Sequence, residues 1–283
     1  MVRYLVVLLA LVCTAATAQQ TAPPAKADTG WKHSLVSGLT LTQVAFTDWA
    51  SGGDNALAYS VTADGKSVDE EPTSNWTTAY KFAFGQTRLG SQGLRKTDDL
   101  IDLSTVFTYK LGVLINPYAS ASLKTQFAKG YLYDAAGNGT EVSQFFDPAF
   151  LTQSVGVGYQ PTPEVKTRLG AGLREVVTNQ FTQYANDPSA TDIKKVSVDG
   201  GLESVTNVDF KLDDNVMFST QLELFAPFKT MDQIVVRDLT TITGKINKYM
   251  TTIFSLQLIN ERRISPLTQV KESIAVGLSY TVF

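Results

Sequence analysis

The chain has 283 residues and a formal net charge of -3. Charged residues make up 18 %, below the roughly 25 % of ordinary soluble proteins. No Lys/Arg cluster is longer than a pair, which excludes the concentrated basic face that nucleic-acid binding needs. The low charge and the aromatic content of 10 % suit a molecule whose surface is partly apolar.

Residues 1–18 have the form of a Sec-type signal peptide. Arg3 supplies the positive region, Leu5 to Val12 the apolar core, and Ala16-Thr17-Ala18 a small-x-small cleavage site before Gln19. The apolar run is too short to span the ~30 Å of bilayer hydrocarbon, so it is not an anchor. The one cysteine, Cys13, lies in this segment behind the bulky Val12, which argues against lipidation. The exported chain then has no thiol, and with it no disulfide, cysteine nucleophile or cysteine metal site. Residues 19–30 are small, polar and Pro-containing and are expected to form a flexible periplasmic leader.

From residue 31 onward the recurring signal is alternation. Trp76, Thr78, Tyr80, Phe82 and Phe84 share one face of a strand, with Lys81, Ala83 and Gly85 on the other. Ile101 to Leu111, Val216 to Leu224 and Val270 to Val282 repeat the pattern. A period of two over ten or more residues is a strand signal, and helical periodicity is absent. Twelve such segments are expected, over 33–47, 56–63, 74–88, 98–111, 117–129, 149–160, 165–177, 195–210, 216–227, 233–247, 251–261 and 268–283. Many exceed the five or six residues usual in soluble strands and match the ~9–11 that a tilted membrane-spanning strand requires.

The face opposite the apolar one carries Lys81, Asp102, Lys110, Lys124, Lys166, Arg168, Arg174, Asp199, Glu203, Glu223, Arg237 and Lys245. In a soluble sandwich the apolar face would be buried and the charges solvated. A signal peptide, long strands and an even count instead favour residues 31–283 as an all-β, antiparallel transmembrane barrel of about twelve strands with both termini periplasmic. Closure removes the unpaired edges that lipid does not tolerate. The apolar face then meets outer-membrane lipid, and the charged residues become candidates for the lumen. Arginine at Phe107 or Phe218 would cost ~2–4 kcal/mol if that position lies near the bilayer midplane.

The connections fit this reading. Residues 112–116, 161–164, 211–215 and 248–250 are short, turn-rich and expected at the periplasmic side, whereas 130–148 and 178–194 are the longest and expected outside. The stretch 64–73 is the exception, a longer acidic turn on the periplasmic side. The chain ends in Phe283, whose odd position departs from the even-numbered apolar series of the last strand. That aromatic end makes the barrel-assembly machinery an expected partner through the C-terminal strand.

The exported chain has a single histidine, His33, and no cysteine. Nucleophilic or zinc chemistry therefore lacks its usual residues, and neither an enzymatic activity nor a metal or cofactor is expected. Asp54-Asn55 and Asp98-Asp99 are not arranged as a calcium loop, and turn capping or ion pairing accounts for them better.

Two stretches carry a family resemblance: Leu41-Thr42-Gln43-Val44-Ala45-Phe46-Thr47-Asp48-Trp49-Ala50-Ser51-Gly52-Gly53-Asp54-Asn55, and Arg95-Lys96-Thr97-Asp98-Asp99. With Leu123 to Tyr131 and Lys245 to Tyr249, they resemble an uncharacterised domain-of-unknown-function family of Gram-negative outer-membrane β-barrel proteins. Asp48 replaces the Asn that the family has before the tryptophan. The resemblance implies an outer-membrane location and no established activity. Within these motifs Trp49, Asp54, Arg95, Lys96, Asp98 and Asp99 are candidates for a latch between outer loops, with Asp54 pairing to Arg95 or Lys96. The charged inner face suggests a small-solute pore. The alternative is a non-conducting binding or structural barrel, its lumen filled by side chains and its extracellular loops forming the interaction surface.

Overall fold

The computed structural model describes residues 30–45, 54–186 and 193–281. The expected signal peptide, nearly all of the leader, Trp49 and Phe283 lie outside these residues. Fourteen strands follow in chain order: β1 Trp31–Val44, β2 Ala56–Glu70, β3 Ser74–Leu89, β4 Arg95–Tyr109, β5 Ile115–Thr125, β6 Gly130–Tyr133, β7 Gly139–Ser143, β8 Ala149–Tyr159, β9 Val165–Val177, β10 Val196–Asp213, β11 Val216–Pro227, β12 Val235–Lys245, β13 Met250–Asn260 and β14 Gln269–Thr281. Twelve of them close into one antiparallel barrel. Each wall strand pairs with its neighbour in sequence, β5 pairs with β8, and β14 returns to β1. The hairpin β6–β7 stands outside the wall as a small separate sheet.

The register turns alternation into two faces. Leu35, Gly65, Tyr80, Leu103, Leu123 and Leu151 form one continuous rung, and the next rung is Val36, Asp64, Lys81, Asp102, Lys124 and Phe150. Lys124 then bonds Glu223 of β11, a strand on another part of the ring, so the charged rung faces inward. The opposite face carries exposed Leu39, Val61, Leu103, Val155, Leu169, Leu173, Ile274 and Val276. Among the described residues no helix is long and apolar enough to cross a membrane. An apolar outer wall on a closed antiparallel barrel is the transmembrane type, in which strands satisfy every backbone group.

Aromatic side chains mark the height of this wall. At the end of the barrel with short turns, Trp76 lies against Trp31 (5.9 Å between ring centroids) and edge-on to Phe107 (6.0 Å). At the other end, Phe82 and Phe84 meet Phe127 edge-on at 6.1 and 6.2 Å. From Trp76 to Phe84 is eight strand steps, about 20 Å of height at ~3.3 Å per step and a tilt of about 40°. That approaches the roughly 25 Å of an outer-membrane apolar band. His33 belongs to the lower girdle, stacked on Trp31 with its Nδ1 2.8 Å from Ser67 Oγ.

The stretch 64–73 corrects one expectation. β2 runs on to Glu70, and only 71–73 form the turn, so every connection at this end is short: 71–73, 110–114, 160–164, 214–215 and 246–249. The longest connections, 126–148 and 178–195, are both at the opposite end. One join differs from the rest. Among the described residues, β1 meets β14 through Val36 to Leu39 against Thr281 to Leu278, whereas β1 and β2 pair along the whole of β1.

Candidate functional site: the ion-paired lumen and its loop end

The inner face is uneven around the ring. On β5 and β8 to β11 it is packed. Tyr118, Ser154, Val176, Glu203, Val205 and Phe225 are buried there. Glycine allows this close approach: a Cβ on Gly170 would stand 2.4 Å from Val155 O and 2.6 Å from Tyr118 Oη. With only hydrogen at that position, the tyrosine ring lies against the wall. On β13, β14 and β1 the inner face carries Ser, Thr, Gly and Ala with a few larger side chains, and no described residue on it is buried. Val36 and Ile253 face inward yet are 40 % and 39 % exposed. Ser255 and Ser273 share an exposed hydrogen bond of 2.7 Å across β13 and β14.

The charged residues of the sequence reading fall into several groups. Midway along the barrel, Lys124 donates to both oxygens of Glu223 at 2.6 and 2.7 Å and lies 3.8 Å from Asp102. Lys81 stands opposite Asp102 and Asp64 in the register. Arg168 lies 3.9 Å from Glu203, and Glu203 accepts a bond from Ser154. Arg174 does not pair with Asp199, its neighbour in register. It donates to Glu261, and Asp199 receives Arg263 at 2.7 Å. Arg237 also donates to Glu261, at 2.9 Å. Lys110 and Lys245 stand at the short-turn rim, where Lys110 reaches the Glu70 carboxylate and the Glu71 carbonyl. Lys166 is exposed near the same rim.

Glu261, the last residue of the expected segment 251–261, and Arg263 beyond it are absent from the inward-facing candidates; β13 ends at Asn260, and both lie past it. Lys271 is likewise absent from them, and joins the latch candidate Asp98 at 2.9 Å between β14 and β4. Charges of both signs meet across the lumen, which offsets the cost of taking each out of water.

The Arg-Lys-Thr-Asp-Asp run lies within β4 and not at a hairpin, and it carries a β-bulge. Gly85 pairs with Asp98 and Gln86 with Lys96, which leaves Thr97 as the extra residue. The bulge shifts the alternation by one. Arg95 and Asp98 therefore face inward, and Lys96 and Asp99 face outward. Asp99, its side chain 3 % exposed, accepts the backbone N–H groups of Phe127 and Ala128 at 2.6 and 2.8 Å. Lys96 bridges Asp99 (2.7 Å) and Ala128 O (2.9 Å). Arg95 stacks on Tyr133 of the β6–β7 hairpin, 4.0 Å from the ring centroid. Between them opens an outer cleft of about 450 Å³ lined by Arg95, Tyr133 and Asp134 among others. Asp54 sits apart from these groups, against Gly90, whose φ of +57° suits glycine. Lys96 and Arg95 are engaged elsewhere. A second buried carboxylate, Asp147, accepts the N–H groups of Asn179 and Gln180 at 3.0 and 2.8 Å and so ties together the two longest loops.

Asp99→Ala should release the base of the 126–148 loop. Two backbone N–H groups and one ammonium lose their acceptor, which should favour local opening by about 2 kcal/mol, roughly 30-fold. Trypsin cleavage after Lys129 of the folded protein should accelerate by that factor, with the barrel itself intact.

Residues 41–131 match the pattern of a family described as proteins of unknown function (DUF3078). The matched stretch contains the motifs at 41–55 and 95–99 and ends at Tyr131, so it includes the bulged strand and the anchored loop base. No curated protein matches the chain. Among solved structures, an outer membrane channel from Pseudomonas putida F1 is similar at a TM-score of 0.40 and 10 % identity, over 95 % of this chain and 99 % of that one. The translocator domain of the autotransporter NalP from Neisseria meningitidis is similar at 0.37 and 10 %, over 88 % and 86 %. The NanC porin is similar at 0.37 and 10 %, over 87 % and 98 %.

Proposed function

We propose that this chain is a pore of the Gram-negative outer membrane for small polar solutes, exported by its residues 1–18 and inserted by the barrel-assembly machinery through its last strand. In this reading both termini and the short turns are periplasmic, and the loops at 126–148 and 178–195 are extracellular. The observation that carries the pore is the uneven lumen. Packed side chains fill the β5 and β8–β11 side, and no described inner residue of β13, β14 and β1 is buried. A narrow polar path along that second wall is the conducting section, and the paired charges beside it set its selectivity.

Liposomes holding the purified barrel should swell with small polar solutes and respond less as solute size grows. Ser273→Trp, which fills the accessible wall, should reduce the swelling rate at least severalfold. A second reading, a non-conducting barrel, is favoured by the Lys124–Glu223 bond and the Glu261 cluster, which both cross the lumen. Folded wild-type protein that produces no swelling with any solute would decide for it.

A further inference from the structure

The β13–β14 connection, residues 261–268, sends side chains back into the barrel. Glu261 is 2 % exposed. Arg174 Nη2 donates to both of its oxygens, at 2.7 and 2.8 Å, and Arg237 Nη2 adds a third bond at 2.9 Å. Both guanidinium groups lie over Phe150, 5.6 and 5.0 Å from the ring centroid. Backbone bonds from Ile264 and Ser265 to Glu261 O close the segment into a turn. Arg263 holds it from the other side through Asp199 and Ser197.

The seat itself belongs to β8, β9 and β12, and the carboxylate reaches it on a tether from elsewhere. Two arginines face one carboxylate, and Glu223 stands opposite Arg237 in the strand register. Arg237 Nε is buried there without a hydrogen-bond partner among the described residues. Burial alone would raise the pKa of Glu261, but Arg174 and then Arg237 hold it down at about 2. The seat therefore favours a carboxylate in its charged form over the whole neutral range.

We propose that Arg174, Arg237 and Phe150 form a binding subsite for small monocarboxylate solutes, and that Glu261 is its built-in occupant. A solute carboxylate entering the seat displaces Glu261 and frees the 261–268 turn. The proposal supplies a solute class for the pore reading above, but binding itself does not require conduction.

Calorimetry on the folded barrel in detergent tests it, with benzoate as probe and neutral benzamide as control. Glu261→Ala should bind benzoate at least tenfold more tightly than wild type does. Benzamide should not bind, and adding Arg174→Gln to Glu261→Ala should weaken benzoate at least tenfold. Equal binding of the two probes, no gain in Glu261→Ala, or no loss with Arg174→Gln would overturn the assignment. If Glu261→Ala does not hold the barrel, a fluorophore on Leu267→Cys in the otherwise native chain reports the turn. Its emission should shift with benzoate and not with benzamide, and a constant signal overturns the proposal. Liposomes that fail to swell leave these binding results standing, so the two failures are distinguishable.

Discussion

Leu103→Arg is expected to destabilise the folded barrel by about 2–4 kcal/mol, because the register places Leu103 midway up the lipid-facing wall. It stands opposite Tyr80 on β3, halfway between the Trp76 and Phe84 levels, and it is 43 % exposed on the outer face. A guanidinium there either gives up water or distorts the bilayer to keep it. Phe107→Arg should cost less, about 0–1 kcal/mol plus the lost edge contact with Trp76. Its girdle position lets the long side chain reach the interface. The urea midpoint of each variant, followed by the heat-dependent gel shift of the folded barrel, separates the two. Equal costs at 103 and 107 would contradict the depth assignment.

Arg174→Met is expected to cost about 3 kcal/mol, at the low end of the range for breaking a buried ion pair, because Arg237 still serves the orphaned Glu261. Replacing both partners, Arg174→Met with Glu261→Met, should recover part of that loss, since the seat then buries no unpaired carboxylate and Arg237 still has Glu223 opposite it in the register. The same unfolding assay reads both, and a double variant as weak as the single one would contradict the ion-pair account. The pH dependence follows from the direction of the shift. The Glu261 carboxyl stands below its ordinary 4.5, at about 2 in the folded chain. Its stabilisation, on the order of 3 kcal/mol, is therefore complete above about pH 4.5 and fades as pH falls through about 2. Wild type should lose this contribution on acidification, and Glu261→Gln should show no such step.

Alternation made the fold legible because each barrel strand has one lipid face, and lipid demands apolar side chains there whatever the rest of the chain does. The signal failed where lipid no longer imposes it. Residues 64–70 continue β2, but their outward positions Ser67 and Asp69 pair with Thr78 and Trp76 at the girdle end of the wall and need not be apolar. The extra residue at Thr97 broke the period inside β4, so residues 95–97 fall outside the expected strand 98–111. The pair β6–β7 is short and stands outside the wall.

The candidate site was less legible, since alternation names a face and not a partner. Lys124 and Glu223 are 99 residues apart, and only the closure of the ring brings them together. Arg174 and Asp199 are register neighbours that sequence reasoning would join, yet both turn to residues of the β13–β14 connection. Asp99 and Asp147 hold loop backbone, a role set by where the chain leaves the wall and carried by no spacing in the sequence.

The short join between β1 and β14 bears on how such a barrel comes into being. Nearly every other wall pairing links strands adjacent in sequence, so the sheet can grow hairpin by hairpin at little entropic cost. Only the pairing of β1 with β14 brings together segments from opposite ends of the chain. Closure then carries the largest loop-entropy cost of any wall pairing, and before it the sheet has two open edges. An open edge is a template for another strand. The seam that completes the cylinder is the place where the wall's backbone stays unpaired until the two ends of the chain meet.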